Sequence, residues 1–487
     1  MFGNYSFLLG ITFLLTISIC SLSAQQLDIG AMALGKAGVA FSRGTNALTT
    51  NPANIYRNDS SATLEWTVLS AGAMLGSSVF TIKDINYYFG GDGTVDVYGS
   101  WNPRYLSPTE RDIFAQKVDG GTITAQVETM PIGIILTLPN SGTLGFSIVN
   151  SLQLQLQFPD NFSRIFNGYA GKERLELSGG MYSALMTSSY GVSYAQKLTI
   201  PNEDNRAYFN SISLGATVKF IRGALMQHLD ASNSATLTPY IPATWDSTYN
   251  WAVSVRYQAR MAGSAPDELR IGNFTGFGGA TAGVGMGIDL GCTANLTEPD
   301  SSGRQALLSC SLLDIGWISW NSASKTYSAD AKDTITGITQ VTNSQLDIYK
   351  GQAISGSLST LLPMRLRLGV FVPLAQRLWD MPLCVVGEYT QGFTKTGATT
   401  TTPRIGLGIQ IGDKGLLGRL GMQAGGTEGA SFTAGIGSNW KIVNFDISIG
   451  SMRAALGYAS AHLFNYSAGI HFRLPVAKFE YFTRIFS

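Results

Sequence analysis

The sequence predicts an all-β fold, a transmembrane antiparallel β-barrel of about 14 strands, on three observations. Segment after segment alternates apolar and polar residues with a period of two. Only 13% of the 487 residues are charged while 56 are glycine, against about 25% charged and about 7% glycine in an average soluble chain. No stretch after residue 24 reaches the 18 consecutive apolar residues of a spanning helix. The mean hydropathy of +0.11 and net charge of +1 imply no nucleic-acid partner.

Residues 1–24 carry an apolar core from Phe7 to Cys20 followed by small residues. This predicts a secretory signal peptide cut near Ser23 or Ala24. A membrane anchor is the other reading, but the run is short for one. Residues 25–60 form a Gly-, Ala- and Asn-rich stretch, and residues 61–487 are assigned to the barrel.

Successive side chains of a strand point to opposite faces. In LFNYSAGIHFRLP, Phe464, Tyr466, Ala468, Ile470, Phe472 and Leu474 share one face. About eleven residues is the length a tilted strand needs to cross a bilayer. MRLRLGVFV sends Leu366, Leu368 and Val370 out and Arg365, Arg367 and Gly369 in; RIGLGIQIG, SLQLQLQF, NFDISIG and SISLGATVKF behave alike. The polar face is Gly, Ser, Asn and Gln rather than Lys and Glu, which suits a lumen better than the solvent face of a soluble sandwich. Tyr466, Phe472, Trp440, Trp317 and Trp320 are candidates for the aromatic girdles.

Strands are expected near 61–73, 121–138, 142–158, 182–198, 206–222, 247–259, 282–293, 304–320, 363–373, 383–393, 403–412, 416–426, 430–440, 442–452 and 462–474. That is one more than an even number, and single-chain barrels of this kind use even numbers. The weakest are 61–73 and 247–259. From residue 282 on, short links alternate with longer ones: EPDSS, 321–362, LAQRLWDMP, TKTGATTTT, GDKG, GGTEGA, KIV and AALGYASAH. Short turns face the periplasm, which would put both termini there, in the bacterial outer membrane.

Ser107-Pro108-Thr109-Glu110 is a capping-box start with Pro at the first helical position. It predicts a short loop helix with Ile113, Phe114 and Val118 on one face; a second is expected at 161–170. Cys292 and Cys310 lie almost symmetrically about a loop. They are either a cross-hairpin disulfide or isolated apolar cysteines. No metal-site spacing, HExxH, GxSxG, P-loop or Rossmann fingerprint is present, so neither an enzyme nor a cofactor is expected. By parity Asp289, Arg365, Arg367, Glu388 and Arg404 face the lumen, with Arg367 and Glu388 placed to pair across their hairpin. They would serve a solute's head group or hold the interior together.

Two stretches say more. ALGKAGVAFSRGTNALTTNPANI, with Gly35, Ala37, Gly38, Asn51, Pro52 and Ala53, resembles the mature N-terminus of the FadL-like superfamily of outer-membrane barrels. GVGMGIDLGC followed by LLSCSLLDIGWISW, and LSPTERDIFAQKVDGG, are similar to uncharacterised members from the Bacteroidetes–Chlorobi side of bacterial diversity. The resemblance implies a 14-stranded barrel whose N-terminal segment folds into the lumen as a hatch. Here Gly35, Gly38, Asn51, Pro52, Ala53 and Asn54 are the candidate hatch residues. Glycines allow tight turns, Pro52 keeps Asn51 extended, and Asn side chains satisfy turn backbone.

The implied function is passive transport of hydrophobic small molecules, of fatty-acid or aromatic type, from a groove lined by loop aromatics such as Tyr87, Tyr88, Phe89, Tyr98, Trp101 and Tyr105. The more distant PorV-like branch implies secretion-system partners instead. A structural barrel is the third possibility.

Overall fold

A computed structural model describes residues 28–56, 63–89, 105–138, 141–166, 174–199, 211–240, 250–263, 281–296, 304–321, 323–336, 351–378, 381–394, 401–412, 415–426, 429–440, 443–452, 456 and 463–475. The signal-peptide segment 1–24 lies outside them, as do Tyr98 and Trp101.

Among the described residues twenty strands follow one another along the chain. In order they are β1 (Thr63–Ser77), β2 (Thr122–Leu138), β3 (Gly142–Gln157), β4 (Leu175–Ser178), β5 (Met181–Thr199), β6 (Ser211–Leu229) and β7 (Ser234–Tyr240). Next come β8 (Asn250–Ala262), β9 (Gly283–Asn295), β10 (Leu307–Trp320), β11 (Lys325–Thr336), β12 (Gln352–Ser355), β13 (Leu358–Leu361) and β14 (Arg365–Leu378). The last are β15 (Met381–Gly392), β16 (Arg404–Ile411), β17 (Gly415–Gly425), β18 (Ser431–Asn439), β19 (Val443–Ile449) and β20 (Leu463–Pro475).

Fourteen of them, β1, β2, β3, β5, β6, β9, β10 and β14–β20, pair antiparallel in that order. β20 returns to β1 with Thr63 opposite Pro475 and Leu64 opposite Leu474. Closure leaves the wall without a free edge, which lipid requires because it cannot hydrogen-bond an open strand.

The surplus expected strand is 247–259, found as β8. It pairs with β7 and β11, and meets the wall only where Met226 to Leu229 of β6 lie opposite Ala262 to Ala259. β4, β7, β8, β11 and β12 form a small antiparallel sheet continuing from that end. The strand expected at 61–73 does stand in the wall, as β1. The strand pairs β14–β15, β16–β17 and β18–β19 are joined by intervals of two or three residues at the end where Thr63 and Pro475 lie, and the longest intervals between wall strands, 78–121, 230–282 and 321–364, fall at the other. LAQRLWDMP is mostly strand, since β14 runs to Leu378.

Alternation sets the two faces. Along β16, Ile405, Leu407 and Ile409 are exposed on the lipid side while Arg404 and Gln410 are buried. Such a face needs no partner but lipid. Trp317 and Trp440 are exposed on it, but Trp320 is 1% exposed and donates from Nε1 to Thr360 Oγ1 at 2.9 Å. The reversal comes from a bulge between Leu312 and Ile315, which shifts parity by one residue. Cys292 and Cys310 face each other in register yet are free thiols.

Four short helices complete the described chain: α1 (Ile29–Ala33), α2 (Ile82–Phe89), α3 (Pro108–Val118) and α4 (Ser163–Phe166). α3 starts with the full Ser107–Glu110 capping box. At the long-loop end Val79, Phe80 and Val118 pack with Phe114, Phe158 and Phe162. Ile113, expected on the packed face, points to solvent because Phe114 and Val118 alone meet that cluster.

Candidate functional site

Residues 28–56 run through the barrel interior, and most of them are buried. Asp28 caps α1, accepting from Ala31 N at 2.9 Å and from the Ser42 hydroxyl. The chain then reverses at Gly35, where φ is +69°, a region open to glycine, and a side chain would strike the backbone oxygens of Met422 and Leu407. Gly38 packs on Ala31 and Ser42. Two 3₁₀ turns follow, Gly44–Thr49 and Pro52–Ile55.

Asn51 is extended, with φ −159° and ψ 106°, as a residue before proline prefers. Its Oδ1 accepts from Ala53 N at 3.0 Å; its Nδ2 donates to Val39 O at 3.0 Å and Thr293 Oγ1 at 3.1 Å. Asn54 Nδ2 donates to the same Val39 carbonyl at 2.8 Å, and its Oδ1 accepts from Thr293 Oγ1 at 2.6 Å. The two asparagines thus tie three separate stretches of chain together. Pro52 and Ala53 lie against β6 and β9, where a side chain at Gly291 would collide with Asn51 Oδ1 and the Pro52 ring.

The five charges read from strand parity fall into two groups. Arg367, Glu388 and Arg404 form the first. Arg367 Nε and Nη2 donate to the two Glu388 oxygens at 2.7 and 2.8 Å. Arg404 Nη2 lies 3.6 Å from Oε1 and donates to Thr390 Oγ1 at 3.1 Å. Glu388 Oε2 also accepts the backbone amides of Gly38 and Val39 at 2.7 and 2.8 Å. All these groups are almost fully desolvated, which is tolerable only because every charge is paired and hydrogen-bonded.

Asp289 and Arg365 belong to a second group, with Lys219 and Asp314. Lys219 Nζ lies 2.7 Å from Asp289 and 2.6 Å from Asp314, and Arg365 Nη2 lies 3.0 Å from Asp314. Lys219 was legible as the inward residue of SISLGATVKF. Asp314 was not, because the bulge turns it: its φ is +59° and its amide donates to Asp289 Oδ1 at 2.7 Å. A third ion pair, Arg419 with Asp446, has the Arg419 guanidinium 5.6 Å from the centroid of Phe41.

The second group borders a lumenal cavity with an empty volume of about 790 Å³, open solvent included. Its floor is Leu48 and Thr49 of the N-terminal segment; Lys219, Asp314, Arg365 and Glu128 give it charge, and Leu185, Ile221 and Leu362 give it an apolar side. Glu128 is the inward residue of the alternating stretch TITAQVE, a signal present in the sequence. Among the loop aromatics, Tyr88 packs edge-on against Phe114 with centroids 4.9 Å apart, Tyr87 donates to Glu110, and Tyr105 is 91% exposed. Among the described residues no group of three or more His, Cys, Asp and Glu is placed to hold a metal ion.

A family of unknown function, DUF5723, matches residues 52–405. Among curated proteins none matches the chain. Similar solved structures include the Ralstonia pickettii toluene transporter TbuX, at 13% identity over 93% of this chain and 99% of that one, with a TM-score of 0.40. The CymD monoaromatic hydrocarbon channel gives 12% over 93% and 98%, with 0.40. The P. putida toluene transporter TodX gives 11% over 93% and 98%, with 0.37. At these identities and scores, function has to be argued from this chain's own residues.

Proposed function

From the premise that the chain belongs to the DUF5723 family of unknown function, we propose that it is a passive outer-membrane channel for small hydrophobic molecules of fatty-acid or aromatic type. The observation that carries this reading is the cavity floored by Leu48 and Thr49. It is a concave, partly apolar space with a few convergent polar groups, the usual make-up of a small-molecule site. Its apolar side, Leu185, Ile221 and Leu362, can take the body of a solute that water and the polar outer leaflet exclude.

In this proposal residues 25–60 are the hatch and 61–487 the barrel. A solute enters among the long loops, rests in the cavity, and passes when the segment that carries Gly35, Gly38, Asn51, Pro52, Ala53 and Asn54 shifts. The short turns and both termini face the periplasm. The lumenal charges hold the closed position. Secretion-system proteins gain no support as partners from the fold or the comparisons.

A static structural barrel is the second reading, favoured by the bonds that tie Gly38 and Val39 to Glu388. Uptake of a radiolabelled aromatic and of a radiolabelled fatty acid into proteoliposomes separates the two. A channel admits at least one of them faster than protein-free liposomes do. Uptake equal to that of the protein-free control for both would leave the static barrel.

A further inference from the structure

The charges around the cavity do not cancel. Lys219 and Arg365 supply two cations, whereas Asp289, Asp314 and Glu128 supply three carboxylates. Lys219 is shared between Asp289 and Asp314, and Arg365 reaches Asp314. Four of the five groups therefore close on one another. Glu128 lies in the field of Arg365 and Lys219 but forms an ion pair with neither. It is 8% exposed, it lines the cavity, and its hydrogen bond is a long one, from Ser151 Oγ at 3.5 Å. Among the described residues no cation forms an ion pair with it.

A carboxylate so far removed from water is costly unless a cation or several donors meet it. Lys219 and Arg365 line the same space but direct their contacts at Asp289 and Asp314. What Glu128 lacks is a cation in contact with it, and the cavity in front of it is the place from which one can come. The rest of the lining fits the other half of such a ligand. Leu185, Ile221 and Leu362 border the cavity and belong to one buried apolar cluster with Ile318 and Trp320. Ser147, Ser151, Gln153, Thr187 and Ser189 add polar groups to the lining.

We propose that the cavity selects small amphipathic cations, an ammonium or guanidinium head on an apolar or aromatic body, with Glu128 receiving the head group and Leu185, Ile221 and Leu362 receiving the body. This rests on the channel reading above and narrows it. A carboxylate head would meet an unpaired carboxylate and be disfavoured, so fatty-acid anions rank last.

The test is calorimetric binding to the full chain in detergent, with three probes of one shape: phenethylammonium, 2-phenylethanol and phenylacetate. One charge-assisted hydrogen bond in a desolvated site corresponds to about tenfold in affinity or more. The ammonium should therefore bind about tenfold tighter than the alcohol, and phenylacetate weakest of all. Glu128→Gln should bring ammonium and alcohol to parity, while Glu128→Asp keeps part of the preference. Equal binding of ammonium and alcohol by the wild-type chain, or a preference that survives in E128Q, overturns the proposal. The wild-type ratio decides even where E128Q fails to fold. Proteoliposome flux of 2-phenylethanol separates the two readings: flux without cation preference leaves the channel and removes this inference, whereas cation binding without any flux does the reverse.

Discussion

Arg367 and Glu388 form a two-pronged ion pair inside the barrel, between residues on neighbouring strands but not directly opposite: Arg367 lies across from Thr390, and Glu388 across from Gly369. The diagonal placement frees Glu388 Oε2 to accept the Gly38 and Val39 amides as well. One carboxylate thus joins two wall strands to the N-terminal segment. Arg367→Ala leaves it buried with Arg404 3.6 Å away as the nearest cation, a loss of about 3–5 kcal/mol. Glu388→Gln keeps the shape but leaves the buried Arg367 guanidinium without its carboxylate and sets an amide NH2 against donors, a loss of the same order. Heat-induced loss of compact migration in a gel reads both: R367A and E388Q should each unfold at a clearly lower temperature than the wild type, and an unshifted R367A transition would refute the coupling.

The Asn51 side chain makes three hydrogen bonds, with Ala53 N, Val39 O and Thr293 Oγ1, and none of them belongs to a wall strand's own ladder. Asn51→Ala should therefore undock the segment and spare the wall. At about 1 kcal/mol per bond the segment loses roughly 2–3 kcal/mol. Limited proteolysis should then cut within residues 28–56 of N51A much faster than in the wild type, while heat-resistant migration of the barrel persists. Protection equal to wild type, or collapse of the barrel with the segment, contradicts the assignment.

The wall was legible because lipid enforces an unbroken apolar face, and RIGLGIQI of β16 displays it in eight residues. What alternation does not carry is membership. NWAVSVRYQARMA alternates as well as any wall strand, since β8 is a genuine strand, but its partners β7 and β11 are loop strands. Strand propensity is local and pairing is not. The bulge at Asp314 was hidden for a related reason: one extra residue changes which face every later side chain meets, and nothing in LLDIGWISW marks where it sits. It misassigned Trp320 and hid Asp314, the carboxylate that Lys219 and Arg365 share. The cavity was out of reach altogether, because its lining comes from β2, β3, β5, β6, β10 and β14 together with Leu48 and Thr49. Arg367 and Glu388 had been placed on the lumen face by their own hairpin, a contact of short range.

The loop helices carry a pH dependence of their own. Burial by itself raises the Asp84 carboxyl, but the Lys117 ammonium at 2.5 Å and the hydroxyl and amide of Thr81 outweigh it and hold it below the usual carboxylate value. A carboxylate depressed in the folded state stabilises above its unfolded pKa and loses that contribution as pH falls through the folded one. The α2–α3 contact is therefore complete at neutral pH and fades below about pH 4. Hydrogen exchange of residues 82–89 in Asp84→Asn, taken as a ratio to wild type at each pH, should exceed one at pH 7 and fall toward one as the pH drops below the usual carboxylate value. A ratio that does not change with pH would rule the contact out as the source.

Asp314 meets two demands at once, and different substitutions separate them. Its backbone has φ +59°, which Asn and Asp accept more readily than other side chains and glycine accepts freely. Its carboxylate bridges Lys219 at 2.6 Å and Arg365 at 3.0 Å. Asp314→Asn keeps the backbone preference and hydrogen-bonding atoms while losing the charge. Asp314→Gly keeps the backbone and loses both contacts. Asp314→Ala loses the contacts and adds about 1–2 kcal/mol of left-handed strain. The unfolding temperatures should fall in the order wild type, Asn, Gly, Ala. An alanine variant as stable as the asparagine one would mean that the bulge backbone relaxes without cost. A glycine variant as stable as wild type would mean that Lys219 and Arg365 do not need the carboxylate they share.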